Sequence, residues 1–513
     1  MKHLFALFAA AALVVPLRET AVSPPQPYGP VPSERQVQLQ HLELYGFMHF
    51  TVNTFTDREW GYGDEKETVF DPTDFDADQM VRTFKAGGLG GVILTCKHHD
   101  GFCLWPSKFT EHSVKNSPWR GGKGDVVKEI SDACRRQGLK FGVYLSPWDR
   151  NHKDYGKPEY IAYYRSQLRE LLTGYGPIFT VWLDGANGGD GFYGGARERR
   201  NIDRTTYYDW VNTWALIREL QPGACIFSDV GPDTRWVGNE SGIAGDPCWA
   251  TYTPHAPDGT TPVPGFTAYK EGVNGHRDGK FWLPAEVDFS IRPGWFYHPA
   301  EDAKVRTPAD LFNHYFISVG HGATMLLNVP PDRRGRIHEN DAASLAGFGK
   351  LLRATFGTNL AKGAKAVPGN VRSGDQRVFG PANLLDDNSE TYWATDDDVH
   401  TPEVTLEFAR PVTFDIVRLR EAIRLGQRVD DWALDAWQGG AWRELAKGTA
   451  IGACRLVRTQ PTTTTKVRLR ITRSPVCPAI AEFGLFLEPA TPPVPIGKID
   501  IWTPKNADGR RQF

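Results

Sequence analysis

Cysteine and long apolar runs are both scarce in this chain of 513 residues. Seven cysteines are a small and odd number, which excludes a disulfide framework as the basis of the fold. After the first residues, no apolar run reaches the ~18 residues that a membrane-spanning helix needs. Neither sign of charge dominates, since 59 Lys and Arg stand against 61 Asp and Glu. Without a basic cluster, no nucleic-acid partner is expected.

What is present fits a folded protein of two or three domains. Hydrophobic residues make up 40% and charged residues 23%, close to the globular average. Tryptophan is unusually frequent, with 16 residues. Tryptophan faces can cover sugar rings or pack a core, and composition alone does not separate the two.

The N-terminus has the pattern of a signal peptide. Lys2 and His3 precede the apolar run Leu4–Leu17, which is too short to span a bilayer comfortably. We expect a signal peptide over about 1–23, and hence a periplasmic or secreted protein, although no clear cleavage site fixes its end.

Residues 24–355 alternate short β-rich runs with helical segments, of which Gly124–Gly138 is the clearest, with Asp125 as N-cap. Such alternation predicts an α/β fold with a parallel sheet, and its length favours a closed (β/α)8-like TIM barrel. No glycine-rich dinucleotide fingerprint follows any strand. The predicted strands are Leu44–Phe50, Gly91–Lys97, Lys140–Ser146, Phe179–Asp184, Ala224–Asp229, Phe281–Glu286 and Thr324–Val329. The predicted helices also include Pro158–Thr173, Thr205–Leu220 and Pro308–Val319.

The pattern changes over residues 356–490. Glu403–Phe408 and Thr465–Ile471 alternate polar and apolar residues between turn signals, which predicts an all-β antiparallel sandwich. Residues 491–513 follow a proline-rich stretch and are expected to form a C-terminal tail.

Polar and aromatic residues collect at the ends of the predicted strands, which in a barrel converge on one mouth. Two interpretations compete there, a metal site and a hydrogen-bonding pocket for sugar hydroxyls with two carboxylates acting on a glycosidic bond. Adjacent His98 and His99 point to opposite faces of a strand and no H-x-H spacing occurs, so the pocket is favoured. The residues at these ends are His49, His98, His99, Asp100, Tyr144, Trp148, Asp149, Asp184, Asp229, Glu240, Glu286, Asp288, Arg292 and Trp295.

The ordered set Gly46–Phe50, Lys97–Phe102 and Val181–Gly185 resembles α-L-fucosidases of glycoside hydrolase family 29. Arg235–Glu240 resembles the segment that carries the acid/base in the narrow branch of that family, which prefers α-1,3/1,4-linked fucose in branched, Lewis-type glycans. The resemblance implies a retaining exo-α-L-fucosidase that acts on fucosylated oligosaccharides or glycoconjugates and needs no catalytic cofactor.

The resemblance also assigns roles to residues. Asp184 would be the nucleophile that forms a covalent fucosyl-enzyme and Glu240 the acid/base, with Asp229 and Glu286 as alternative acids. The implied substrate-binding residues are His49, Trp60, His98, His99, Tyr144, Trp236, Arg292 and Trp295.

The second domain has its own resemblance. Ala382–Asn388 and Thr391–Trp393 resemble the start of a discoidin-like (factor V/VIII C-type) sandwich, as in carbohydrate-binding module family 32. Such modules often hold a structural calcium, for which Asp386, Thr391 and Glu482 are the implied oxygen ligands. Asp387 replaces the glycine that is frequent there, which weakens this prediction.

Three alternatives stay open from sequence. The first is the broad-specificity branch of the same family, and the second is a carbohydrate-binding protein that has lost catalysis. The third is a metal-dependent hydrolase, which would lose activity when treated with a chelator.

Overall fold

The computed structural model describes residues 22–489. All but the last two residues of the predicted signal peptide, and the whole predicted tail, lie outside the described residues. Within residues 22–489, no helix is both long and apolar enough to cross a membrane.

Eight parallel strands close into a barrel in which neighbours in sequence are neighbours in space and the last strand pairs with the first. Every residue of these strands is buried except Lys140 and Trp236. The predicted TIM barrel is therefore confirmed. The strands are β1 (Leu44–Met48), β2 (Gly91–Lys97), β3 (Lys140–Leu145), β4 (Thr180–Trp182), β5 (Cys225–Ser228), β6 (Thr234–Trp236), β7 (Ala285–Ser290) and β8 (Thr324–Asn328).

Helices surround the barrel. The helix predicted between Gly124 and Gly138 is present, with Asp125 as its N-cap. Asp125 accepts a hydrogen bond from the Lys128 backbone N–H at 2.8 Å, and Gly138 ends the same helix with a φ of 76°. The helices are α1 (Glu34–Leu42), α2 (Val52–Thr56), α3 (Ala77–Ala86), α4 (Val126–Gln137), α5 (Glu159–Gly174), α6 (Trp210–Leu220), α7 (Tyr269–Gly272), α8 (Pro308–Ile317) and α9 (Glu339–Phe356).

Two strands differ from the prediction. Phe281–Trp282 pairs antiparallel with Thr251–Tyr252 outside the barrel, and the barrel strand begins only at Ala285. The three-residue β6 was not predicted as a strand at all. Both differences affect the site, because β6 leads directly into the loop that carries Glu240, and β7 places Asp288 near its C-terminal end.

The C-terminal region is an antiparallel β-sandwich, as predicted. Two strands of 19 residues run through it and contain register shifts that bend the sheet. Its strands are β9 (Lys365–Pro368), β10 (Trp393–Ala394), β11 (Glu403–Glu421), β12 (Asp431–Gln438), β13 (Ala441–Thr449), β14 (Arg455–Arg473) and β15 (Ala479–Phe486).

The sandwich packs against the barrel through a charged network and an aromatic contact. Arg420 on β11 forms ion pairs with Glu43, which precedes β1, and with Glu482 on β15, at 2.5 and 2.9 Å. Phe356 at the end of α9 lies edge-on to Phe486, with ring centres 5.1 Å apart. These contacts join the two parts of the chain on the side where β1 begins.

Candidate active site

A cavity of about 1010 Å³ opens at the C-terminal ends of the barrel strands. It brings together most of the residues that the sequence predicted. The predicted residues that line it are His49, Trp60, His98, His99, Tyr144, Asp184, Glu240 and Trp295.

Asp184 follows the end of β4 and is held as a hydrogen-bond acceptor. The Tyr144 hydroxyl donates to its Oδ2 at 3.0 Å, and the Ala186 backbone N–H donates to its Oδ1 at 2.7 Å. The side chain keeps 23% of its surface exposed to the cavity. Both oxygens of the Asp184 carboxyl group thus have hydrogen-bond donors, and the group faces the cavity, where a nucleophile would act.

Glu240, like Asp184, is partly buried, but its carboxyl group is desolvated and has a shifted pKa. The pKa of its carboxyl is raised to about 7, mainly by burial and also by the charges of Asp184 and Glu59, against a hydrogen bond from the Trp295 side chain that lowers it. Its Oε2 is buried and has no hydrogen-bond partner among the described residues. A carboxyl that holds its proton near neutral pH can act as a general acid.

The loop that carries Glu240 is held by its own side chains and by α7. Asn239 donates to the Ile243 carbonyl at 2.9 Å and accepts from the Ser241 backbone N–H at 3.1 Å. Gly238 has a φ of 89° and lies so close to the Tyr269 carbonyl that a Cβ there would be 2.1 Å from its oxygen. Only glycine fits at this position, so the approach to Glu240 is fixed by the backbone.

His99 presents a defined nitrogen near Asp184. The Ser146 hydroxyl donates its hydrogen to the Trp148 carbonyl at 2.6 Å and therefore accepts from Nδ1 of His99, at 2.7 Å. Burial lowers the pKa of His99 to about 4, so the ring is neutral and its Nε2 carries a lone pair. This Nε2 lies 3.8 Å from Oδ2 of Asp184.

His49 is fixed in the same tautomer by Asn328, at the end of β8. The Asn328 amide donates to the Ser290 hydroxyl and to the Trp295 carbonyl, at 2.9 and 2.8 Å. Its oxygen is thereby left to accept from Nδ1 of His49, at 2.9 Å. Since burial lowers the pKa of His49 to about 3, Nε2 of this ring is also an acceptor.

Aromatic rings form the walls of the cavity. The Trp60 ring lies edge-on to His99, at 5.5 Å, and to Trp148, at 5.6 Å. Trp295 lies 5.2 Å from the His49 ring, and its backbone N–H donates to Glu59 at 2.8 Å. Glu59 and Asn328 were not predicted as site residues, although Glu59 directly precedes Trp60 and Asn328 lies one residue before the end of a predicted strand.

Two predicted binding residues do not line the cavity. The Arg292 side chain is completely buried, forming ion pairs with Asp341 at 2.5 Å and Asp302 at 2.9 Å. It therefore has no free donor surface for a ligand. Trp236 donates its indole N–H to Oδ1 of Asp288 at 2.7 Å, and it is Asp288 that lines the cavity.

The two alternative acids, Glu286 and Asp229, do not line the cavity and have hydrogen-bond donors of their own. Glu286 accepts hydrogen bonds from the Tyr45 hydroxyl and from the Trp182 indole, and Asp229 accepts from the Gly265 backbone N–H at 2.6 Å. Burial raises the pKa of both carboxyls to about 7, but neither lines the cavity. Glu240 is thus better placed than either to reach a ligand.

The predicted calcium ligands do not come together as a cation site. Thr391 donates to Asp386 at 2.6 Å, but Arg418 and Arg420 bind the two carboxylate oxygens of Glu482 at 2.6 and 2.9 Å. Two guanidinium groups already occupy both carboxylate oxygens of Glu482, so these residues do not fit calcium.

Within residues 22–489, one set of His and acidic side chains has metal-ligand proximity, namely His255, Glu271 and His276. None of the three lines the cavity. Nδ1 of His276 accepts from the Thr253 backbone N–H at 3.2 Å, so its Nε2 carries the proton of the neutral ring and offers no lone pair to a metal.

Comparisons with known proteins agree with this geometry. The family model described as Alpha-L-fucosidase matches residues 33–355. Alpha-L-fucosidase 1 of Arabidopsis thaliana is 41% identical over 470 residues, which cover 90% of this chain and 89% of the relative. A glycoside hydrolase 29 family member from an unknown rumen bacterium is 42% identical, with a TM-score of 0.80 over 92% of this chain and 79% of that one.

A Ruminococcus gnavus GH29 fucosidase in complex with fucose is 34% identical, with a TM-score of 0.80 over 91% of this chain and 97% of that one. The match thus extends beyond the barrel into the sandwich. By sequence, fold and the arrangement of its cavity, this chain belongs to the α-L-fucosidase family, glycoside hydrolase family 29.

Proposed function

We propose that this α-L-fucosidase is a retaining exo-enzyme that releases α-1,3/1,4-linked fucose from branched, Lewis-type glycans through a covalent fucosyl-enzyme. The observation that carries the proposal is the contrast between two carboxyl groups in one cavity. Asp184 accepts two hydrogen bonds, whereas desolvation of the partly buried Glu240 carboxyl raises its pKa to about 7. Retaining glycosidases need such a pair, one carboxylate and one acid.

In the first step, a carboxylate oxygen of Asp184 attacks the anomeric carbon while Glu240 gives its proton to the departing glycosidic oxygen. The bond from the anomeric carbon to that oxygen breaks as the ester to Asp184 forms. In the second step, Glu240 takes a proton from water, the water oxygen bonds to the anomeric carbon, and Asp184 leaves as carboxylate. Two inversions at one carbon retain its configuration.

The neutral imidazoles select hydroxyl groups as ligands. Nε2 of both His49 and His99 can accept a hydrogen bond, so each can bind a sugar hydroxyl that donates its hydrogen. Trp60 and Trp295 offer apolar faces in the same cavity. An apolar wall favours the C5 methyl of fucose over the polar C6 of galactose-type sugars by roughly 1 kcal/mol.

The linkage preference rests on the segment Arg235–Glu240, which resembles the acid/base segment of the narrow branch. β6 and the closely packed Gly238 hold this segment in a fixed conformation. A fixed acid can serve a leaving group only at a matching angle, which favours particular linkages over others.

The test is release of free L-fucose from a Lewis-type trisaccharide and, in parallel, from 2′-fucosyllactose. We expect release from the first substrate only, and none from Asp184→Ala. The matched control is Asp258→Ala, which removes an exposed loop carboxylate and should retain activity. Release from both substrates would assign the enzyme to the broad branch. No release from either would favour a binding protein.

We also propose, from the sequence, that the protein is exported and where its domains begin and end. Lys2 and the apolar run that follows support a signal peptide over about 1–23 and a periplasmic or secreted location. The alternation of strand-like and helical segments supports a catalytic region over 24–355, and the alternation of polar and apolar residues supports a sandwich over 356–490.

A further inference from the structure

Asp229 is a buried carboxyl group that takes no part in the mechanism above. It directly follows β5, which lies in the barrel between β4, the strand that Asp184 follows, and β6, the strand that leads to Glu240. Asp229 does not line the cavity. Burying a carboxyl group is costly unless its oxygens receive hydrogen bonds, so the donors to Asp229 indicate what it holds together.

The first donor joins Asp229 to the segment that follows the nucleophile. The Gly265 backbone N–H donates to Oδ2 of Asp229 at 2.6 Å. Gly185, the residue after Asp184, packs against both groups. A Cβ at this position would lie 2.2 Å from Oδ2 of Asp229 and 2.8 Å from the Gly265 nitrogen. Because only glycine leaves room for this approach, the backbone beside the nucleophile rests directly on Asp229.

The second donor joins Asp229 to the segment that carries Glu240. The Tyr269 hydroxyl, on α7, donates to the same Oδ2 at 3.2 Å. The Tyr269 ring lies edge-on to Trp236 at 5.2 Å, and the Tyr269 carbonyl packs against Gly238. Trp236 and Gly238 precede Glu240 by four and two residues. One oxygen of Asp229 is therefore connected to the segments of both catalytic carboxyl groups.

We propose that Asp229 is a positioning residue that sets the separation of Asp184 and Glu240 through its hydrogen bonds to Gly265 and Tyr269. This inference rests on the proposed roles of Asp184 and Glu240. A retaining mechanism needs its two carboxyl groups ~5–5.5 Å apart, because attack and protonation act on the same glycosidic bond. Asp229 contacts neither the anomeric carbon nor the leaving oxygen. It acts only by holding the two segments in register.

The test compares two substrates that need the acid to different degrees. A nitrophenyl fucoside has a leaving group that departs with little proton assistance, whereas a fucosyl trisaccharide requires protonation of its glycosidic oxygen. Tyr269→Phe removes the hydrogen bond to Asp229 and detaches only the acid/base segment. It should lower kcat/KM on the trisaccharide about tenfold more than on the nitrophenyl fucoside, because a displaced acid no longer meets the leaving oxygen.

Substitutions of Asp229 itself separate its hydrogen bonds from its charge. Asp229→Ala loses both hydrogen bonds and also releases the segment of the nucleophile, so kcat/KM should fall on both substrates, with the larger loss on the trisaccharide. Asp229→Asn keeps an oxygen that can accept from Gly265 and Tyr269, and it should restore most of the activity on both substrates. A folded Asp229→Asn as impaired as Asp229→Ala would overturn the proposal.

The matched control is Tyr175→Phe, which removes a similar hydrogen bond, from the Tyr175 hydroxyl to Asp125 at 3.0 Å, away from the cavity. It should show no difference between the two substrates, and thermal melts should show each variant folded. Glu240→Gln separates the two hypotheses. If it affects both substrates equally, the acid/base assignment fails and this inference fails with it. If it discriminates between them and Tyr269→Phe does not, only the role of Asp229 is overturned.

Discussion

At the scale of single residues, similar side chains in the cavity have different chemical properties because their surroundings differ. Asp184 and Glu240 are both carboxyl groups, but one receives donors from Tyr144 and Ala186 while the other is desolvated. His49 and His99 are fixed as acceptors by Asn328 and Ser146. The hydrogen bonds of Asp184, the raised pKa of Glu240 and the neutral imidazoles are thus in place before a substrate arrives.

The raised pKa of Glu240 predicts the pH dependence of activity. Because the proposed mechanism needs this group protonated, kcat/KM on a fucosyl trisaccharide should fall as pH rises through about 7. The measurement is a pH profile of wild type beside Glu240→Gln, which cannot ionise and should lose this limb along with most of its activity. An identical limb in the variant would mean that another group controls it.

Sequence reasoning placed most site residues correctly but misjudged two of them. His49, His98, Tyr144 and Asp184 lie at or near the C-terminal ends of predicted strands, and the topology of a barrel brings such ends together. Arg292 also follows a strand end, but the carboxylates of Asp302 and of the buried Asp341 hold its side chain away from the cavity. Which way a side chain points depends on partners far away in sequence, and no local pattern encodes them.

At the scale of secondary-structure elements, long apolar strands were predicted well and short ones were not. Gly91–Lys97 matches β2 at both ends, because seven consecutive buried residues leave a clear signal. The three residues of β6 contain Arg235, whose buried guanidinium bonds to backbone carbonyls, and they leave no such signal. Phe281 and Trp282 resemble a barrel strand in composition but pair with Thr251–Tyr252 instead.

The ion pairs of Arg292 join the end of β7 to α9, which predicts a stabilising rather than a binding role. Arg292→Met leaves the Asp341 carboxyl buried without its partner and should lower the free energy of unfolding by about 3–5 kcal/mol. Urea denaturation measures this loss. The double variant Arg292→Met/Asp341→Asn should recover part of it. If KM for a fucoside rose strongly while Arg292→Met stayed folded, Arg292 would contact substrate after all.

At the scale of the whole molecule, the sandwich is bound to the barrel by buried charge. Arg420 lies between Glu43 of the barrel and Glu482 of the sandwich, and the Tyr315 hydroxyl on α8 donates to Glu43 at 2.8 Å. Phe356 and Phe486 extend the contact with apolar surface. Such an interface makes the sandwich a structural support for the barrel, whether or not it also binds sugar.

This interface predicts that barrel and sandwich unfold together. Scanning calorimetry should show one transition, because separating the two parts would expose unpaired buried charges. Arg420→Met should lower the transition temperature, whereas Arg443→Met, which changes an exposed arginine of the sandwich, should leave it nearly unchanged. Two separate transitions in the wild type would show that the parts are independent.

The most direct test of the central claim is the configuration of the first sugar released. Proton NMR of the reaction, recorded before the product mutarotates, distinguishes α- from β-L-fucose. Attack by Asp184 followed by attack of water inverts the anomeric carbon twice, so α-L-fucose should appear first. Initial β-L-fucose would mean a single inversion by water and would contradict the role of Asp184 as a nucleophile.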